Sequence, residues 1–174
     1  GQSYWQILPL SPTGYGDSPY QSFSTFAGNH YLIDLDLLIE EGLLQQEEVD
    51  AVCWSEEEGR VDYGCLYENR RKILHLAYER FEADEAFEQF IASNADWLED
   101  YALFMALKAK FKGSDWQSWP EALMMHLPLC LEAIRGELAD EIGLHQFLQY
   151  QFFRQWNALR SYAAQKGIRI IGDV

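Results

Sequence analysis

Basic residues are scarce in this chain: 13 Lys and Arg face 28 Asp and Glu, a formal net charge of −15. Such a surface repels polyanions, which excludes nucleic acid and anionic membranes as partners and favours a neutral ligand. Cysteine is scarce too. Cys53, Cys65 and Cys130 are odd in number and lack CxxC spacing, so neither a disulfide framework nor a zinc site is expected, and reduced cytoplasmic thiols account for them. No apolar run has the length a bilayer demands, and Gly1-Gln2-Ser3-Tyr4 lacks the basic and apolar regions of a secretory signal. The expectation is a soluble, cytoplasmic protein with no membrane partner.

Several chemical signatures are missing as well. His30, His75, His126 and His145 show neither HxH nor HExxH spacing, so no metal site is expected. There is no GxSxG elbow, P-loop or GxGxxG, and Gly14-Tyr15-Gly16 is followed by no Lys-Ser/Thr that would make it a phosphate cradle. An initiating Met is absent, and apolar strands lie close to both ends of the chain, so a segment cut from something longer is expected.

What the chain does have is aromatic side chains, 15% of residues, and one conspicuous loop. The run Trp5-Gln6-Ile7-Leu8 reads as a short strand ended by Pro9. The stretch from Leu10 to Ser24 is then too rich in Gly, Pro, Ser and Tyr to hold a regular period. α/β folds place their chemistry where strands hand over to loops. Tyr15 and Tyr20 stand on this loop among residues of fixed or unusually free φ, Pro12, Gly14, Gly16 and Pro19. Exposed rings suit the C–H face of a pyranose, while Asp17, Ser18 and Gln21 could meet its hydroxyls. An aromatic corner packed into the core is the competing reading.

Further along, Tyr31–Leu35 reads as extended and Asp36 as the cap of a short helix that Gly42 closes. Glu47, Glu48, Asp50, Glu56, Glu57 and Glu58 read as a solvated face. Asp62 is placed to cap a helix carrying Leu66, Ile73, Leu74, Ala77 and Phe81. Glu85–Ala92 is amphipathic, Asn94 can cap a helix through Trp97, Tyr101, Phe104 and Lys108, and Pro120 suits a first helical position. The longest helical pattern runs from about Leu131 to Gln165, with Leu148, Phe152, Trp156, Leu159 and Ala163 at spacings of three and four, and ends at Gly167. Ile168–Asp173 is a strand with Asp173 at its tip. The frame is strand, loop, helices, long helix, strand, a βα…αβ unit whose parallel strands need such a crossover. A full (β/α)₈ barrel takes about 250 residues, so the frame is a barrel segment.

Retaining glycoside chemistry needs two carboxyl groups about 5–5.5 Å apart. Only Asp17 and Asp173 sit where a strand has handed over to a loop, and no second strand-tip carboxylate accompanies Asp173. Asp173 could bind a sugar hydroxyl or cap a following helix.

The chain resembles the amylomaltases, bacterial 4-α-glucanotransferases (disproportionating enzymes) of the α-amylase superfamily. The resemblance rests on Trp5 to Leu10, Gly14 to Ser24, Ala27-Gly28-Asn29, Arg60 to Tyr63, Glu99 to Ala106, Phe152 to Trp156 and Gly167 to Asp173. It implies a fold that is α/β by parentage: barrel strands two and three of a (β/α)₈ TIM barrel with a large, mainly helical subdomain inserted between them, the segment itself mostly α. Residues 1–35 would be the strand and substrate loop, 36–130 the helical subdomain, and 131–174 the long helix and next strand.

It also implies transfer of α-1,4-glucan segments between maltooligosaccharides by a retaining double displacement, with no cofactor and with starch- or glycogen-derived glucans as substrates. The resemblance places the catalytic triad on later strands, so no catalytic residue is expected here. It matches Tyr20, Ser18 and Asp173 to the sugar at the cleavage site, and Tyr15 and Tyr67 to a second glucan site. Cys65 stands where some relatives carry Trp. Ser11 and His30 replace a common Gly and Pro, and relatives continue past the aspartate with further strands. The isolated segment is expected to be inactive and to self-associate through exposed strand edges. The alternative is a non-catalytic glucan-binding or helical interaction module.

Overall fold

The computed structural model describes residues 1–55 and 59–173, with the backbone alone of Tyr15. Part of the acidic run, Glu56 to Glu58, therefore lies outside the described residues, as does the side chain of Tyr15. The chain opens with strand β1 (Tyr4–Gln6) and closes with β2 (Arg169–Ile171). Between them lie helices α1 (Leu35–Glu40), α2 (Gln46–Asp50), α3 (Tyr63–Arg80), α4 (Glu85–Ser93), α5 (Ala95–Lys110), α6 (Glu121–Met124), α7 (Pro128–Glu137) and α8 (Ala139–Gln165). The segment is mostly helical.

β1 and β2 pair in parallel, with Tyr4 opposite Arg169, Trp5 opposite Ile170 and Gln6 opposite Ile171. Backbone bonds from Arg169 to the Ser3 carbonyl (2.9 Å) and from Ile7 to the Ile171 carbonyl (3.0 Å) extend the pairing. A parallel pair separated by most of the chain is the arrangement that a helical crossover permits.

The chain divides into two compact units, one comprising Gly1–Asp84 with Leu148–Val174 and the other Glu85–Phe147, the boundary falling within α8. These units follow packing, so their limits differ from the segments 1–35, 36–130 and 131–174 drawn from chain order. In the second unit Leu103, Leu107, Trp119, Leu123 and Ile134 form a buried cluster, and Trp119 lies between Phe104 and Phe111 at ring separations of 5.7 and 5.5 Å. In the first unit the buried residues include Ala27, Ile33, Leu38, Leu44, Ile73, Leu74, Ala77 and Phe152.

Four local expectations are corrected. The long pattern from Leu131 to Gln165 is two helices that meet at Leu138, whose N–H still bonds to the Ile134 carbonyl although its ψ of 19° leaves the helix. Continuous apolar spacing conceals such a break because no Pro marks it. The cap of α1 is Asp34, whose carboxylate accepts from the Asp36 N–H at 2.9 Å, so the helix starts earlier than an Asp36 cap would allow. His30–Leu32 forms a 3₁₀ turn instead of extended chain, with the Asn29 side chain accepting from the Tyr31 N–H. Asn94 caps by position only: its side chain donates to the Phe90 carbonyl and accepts from the Trp97 indole.

Candidate functional site

The loop after β1 is closed at its base. The Asn29 N–H donates to the Leu10 carbonyl at 2.8 Å, so chain entering and leaving the loop is held together. Inside it, Tyr15–Asp17 makes a 3₁₀ turn in which Gly16 and Asp17 both have positive φ, 65° and 57°. Asp is among the few side chains that tolerate this region. Gly14 N–H donates to the Ser18 carbonyl (3.2 Å), and Gln21 N–H shares that acceptor (3.3 Å). The backbone approach is so close that a Cβ on Gly14 would lie 1.8 Å from the Gln21 carbonyl oxygen. Ser22 and Ser24 add hydroxyl-to-backbone turns, Ser24 Oγ accepting from Ala27 N–H at 3.1 Å. The polar, irregular composition is thus spent on local hydrogen bonds that fix the loop's shape.

Three expected site residues come together at the strand ends. The Tyr20 hydroxyl donates to Asp173 Oδ2 at 2.8 Å, joining the loop to the tip of β2 across 153 residues. Ser18 Oγ accepts the Tyr20 N–H at 3.3 Å and so orients that residue's backbone. Tyr20 is 57% exposed, so it is not packed into the core as the aromatic-corner alternative would have it. Its hydrogen bond to Asp173, and secondarily burial and the Asp173 charge, raise the phenol above its ordinary pKa. It therefore stays a donor through neutral pH.

Tyr67 sits apart from that group. Its hydroxyl donates to Asp17 Oδ1 at 2.9 Å, and its ring meets Tyr31 edge-on at 5.9 Å. The hydrogen bond to Asp17 is the main cause that raises its pKa. Asp17 appears in the sequence as a polar loop residue; its tie to α3 is a contact only the folded chain reveals.

Asp173 also borders a cleft of about 680 Å³ between the strand ends and α8, shared with Pro9, Leu10, Gly28, Trp156 and Arg160. Among the described residues there is no group of three or more His, Cys, Asp or Glu side chains placed to hold a metal ion, and no helix long and apolar enough to cross a membrane.

Sequence reasoning missed the residues that hold the loop from behind. Gln149, fully buried on α8, accepts from the Gly28 N–H at 2.7 Å and donates to the Gly28 carbonyl at 3.0 Å. Gln155 treats Asp34 the same way, at 2.7 and 3.1 Å. Arg70 of α3 donates to the carbonyls of Tyr31 and Ile33, and burial lowers its pKa to about 10. Gln149 and Gln155 stand six residues apart on α8, but the helix also carries Gln146, Gln151 and Gln165, so nothing in the sequence singles the two out.

A family model described as 4-alpha-glucanotransferase matches residues 1–174. The chain belongs to the 4-alpha-glucanotransferase family. It is 49% identical to the 4-alpha-glucanotransferase of Thermus thermophilus, over 100% of this chain and 35% of that protein. With the Clostridium butyricum 4-alpha-glucanotransferase the identity is 46%, over 100% of this chain and 36% of the relative. A solved structure, the amylomaltase from Streptococcus agalactiae in complex with acarbose, superposes with a TM-score of 0.94 at 40% identity, over 99% of this chain and 36% of that one. The chain thus spans about a third of the length of these 4-alpha-glucanotransferases.

Proposed function

We propose that this chain is the glucan-binding segment of a 4-α-glucanotransferase that moves α-1,4-glucan segments between maltooligosaccharides by retaining double displacement. β1 and β2 then serve as barrel strands two and three, with the helical subdomain between them. Tyr20 offers the exposed ring on which a glucosyl unit stacks, Asp173 a carboxylate for its hydroxyls, and Ser18 the turn that aims the tyrosine. Tyr67, with Tyr15, contributes a second glucan contact beside Asp17. The catalytic carboxylates are supplied from outside these residues, and the segment alone does no chemistry. Starch- and glycogen-derived glucans are the substrates.

The Tyr20–Asp173 hydrogen bond carries this reading, because it builds one sugar-sized contact from a loop and a strand tip distant in sequence. Titration of the chain with maltoheptaose, followed by tryptophan fluorescence or NMR shifts, tests it. Saturable binding that Tyr20→Ala weakens by tenfold or more is expected. Binding unaffected by Tyr20→Ala would overturn the assignment, and glucose released from maltotriose by the purified chain would overturn the inactivity of the segment.

A further inference from the structure

Cys53 and Cys65 flank the segment that leads into α3, and neither belongs to the glucan contacts. Asn69 of α3 donates from Nδ2 to the Cys53 carbonyl at 2.9 Å. Cys65 and Asn69 are four residues apart on one helix, hence on one face. Next to Cys53, Trp54 lies under the Arg70 guanidinium at 5.7 Å, so the segment is pinned along α3 at two successive residues. The Asn69 bond lays the Cys53 backbone one helical turn from Cys65, the Cys53 thiol donates to the Ser55 carbonyl at 3.6 Å, and that thiol is among the groups that raise the Cys65 pKa. Cys53 is exposed and Cys65 partly so, which leaves the pair open to a small oxidant.

We propose that Cys53 and Cys65 are a redox modification site that a low-molecular-weight disulfide closes to an intramolecular bond, stapling the first turn of α3 to the segment before it. The exposed Cys53 reacts first. Its thiolate attacks one sulfur of oxidised glutathione, forms a mixed disulfide and releases one glutathione thiolate. Cys65 then gives up its proton to solvent, attacks the Cys53 sulfur and expels the second glutathione. Two protein thiols are oxidised and one glutathione disulfide is reduced to two thiols. Burial and the neighbouring Asp62 push the Cys65 thiol up to about 11, which keeps it protonated at neutral pH and leaves the first attack to Cys53. Cys130 packs against the apolar cluster of the other unit and takes no part.

Treating the chain with oxidised glutathione, alkylating the remaining thiols and mapping the peptides tests this. The expected product is a Cys53–Cys65 bond with Cys130 alone alkylated, a raised melting temperature, and reversal of both by dithiothreitol. The variant Cys65→Ser should instead retain glutathione at Cys53. A stable mixed disulfide at Cys53 in the unaltered chain, or cross-links only between copies, would overturn the proposal.

Discussion

The Gln149 side chain pairs with the Gly28 backbone as a neighbouring strand would, accepting from its N–H and donating to its carbonyl. Gln155 repeats this at Asp34, six residues further on in both segments. Residues 28–34 therefore run along α8, with the backbone of Gly28 and of Asp34 bonded to helix side chains in place of a neighbouring strand. Buried backbone groups need such partners.

Replacing Gln149 by Leu keeps the volume and deletes both bonds. Each orphaned buried group costs about 1–3 kcal/mol. Urea denaturation of Gln149→Leu should show a loss within that range for one or both groups, whereas an unchanged midpoint would mean the clamp is dispensable.

Gly28 is held for a second reason. A Cβ there would lie 1.9 Å from Cδ1 of buried Phe152, and a ring in the core cannot yield that far. Overpacking of this kind costs about 1–3 kcal/mol, so Gly28→Ala should lower the melting temperature. In Gly28→Ala combined with Phe152→Leu, part of the loss should return.

At the Tyr20–Asp173 contact the folded-state pKa of the phenol is raised, so its contribution is fully present below the ordinary value near 10 and fades as pH climbs through the raised one. Asp173→Asn removes both the acceptor and the charge. NMR titration of the Tyr20 ring should show its pKa falling toward the ordinary value, and a ring that titrates identically in both forms would dissolve the pair.

Arg80 reaches from α3 to Glu48 of α2, with bonds of 2.5 and 2.7 Å. Chiefly that contact, then the Gln45 N–H, lowers Glu48 from 4.5 to about 2. A depressed carboxylate stabilises the fold above its unfolded pKa and loses that contribution as pH falls through its folded one. Glu48→Gln should therefore flatten the decline in stability between about pH 4.5 and 2, as followed by thermal melts across that window.

The two-stranded sheet leaves Tyr4, Trp5 and Ile171 exposed. The unpaired backbone edges of such a strand pair invite pairing between copies. Light scattering should show an apparent mass that rises with concentration, and Trp5→Lys should restore the monomer.

Much of the helical order was legible. Asp62 caps α3 as its position suggests, accepting from the Cys65 N–H at 3.1 Å, and Gly42 and Gly167, with φ of 75° and 71°, terminate helices as their place in the pattern implies. The cap of α1 was not. Asp34 and Asp36 are equivalent by local rules, and the choice falls to Asp34, whose backbone Gln155 also holds.

The same division runs through the whole molecule. Sequence alone determined the acidic surface, the helix-rich crossover between two strands, the aromatic loop and the family resemblance, because charge, periodicity and motif are local properties of the chain. Only the tertiary structure decided that Tyr20 bonds to Asp173, Tyr67 to Asp17 and Gln149 to Gly28. Each of those bonds joins residues at least 50 positions apart, and no local rule specifies a partner at that distance. At Gln149 burial supplies the choice, since a polar group removed from water must bond to whatever the folded chain brings within reach. At the exposed Tyr20 and Tyr67 the course of the folded backbone alone brings the partners together.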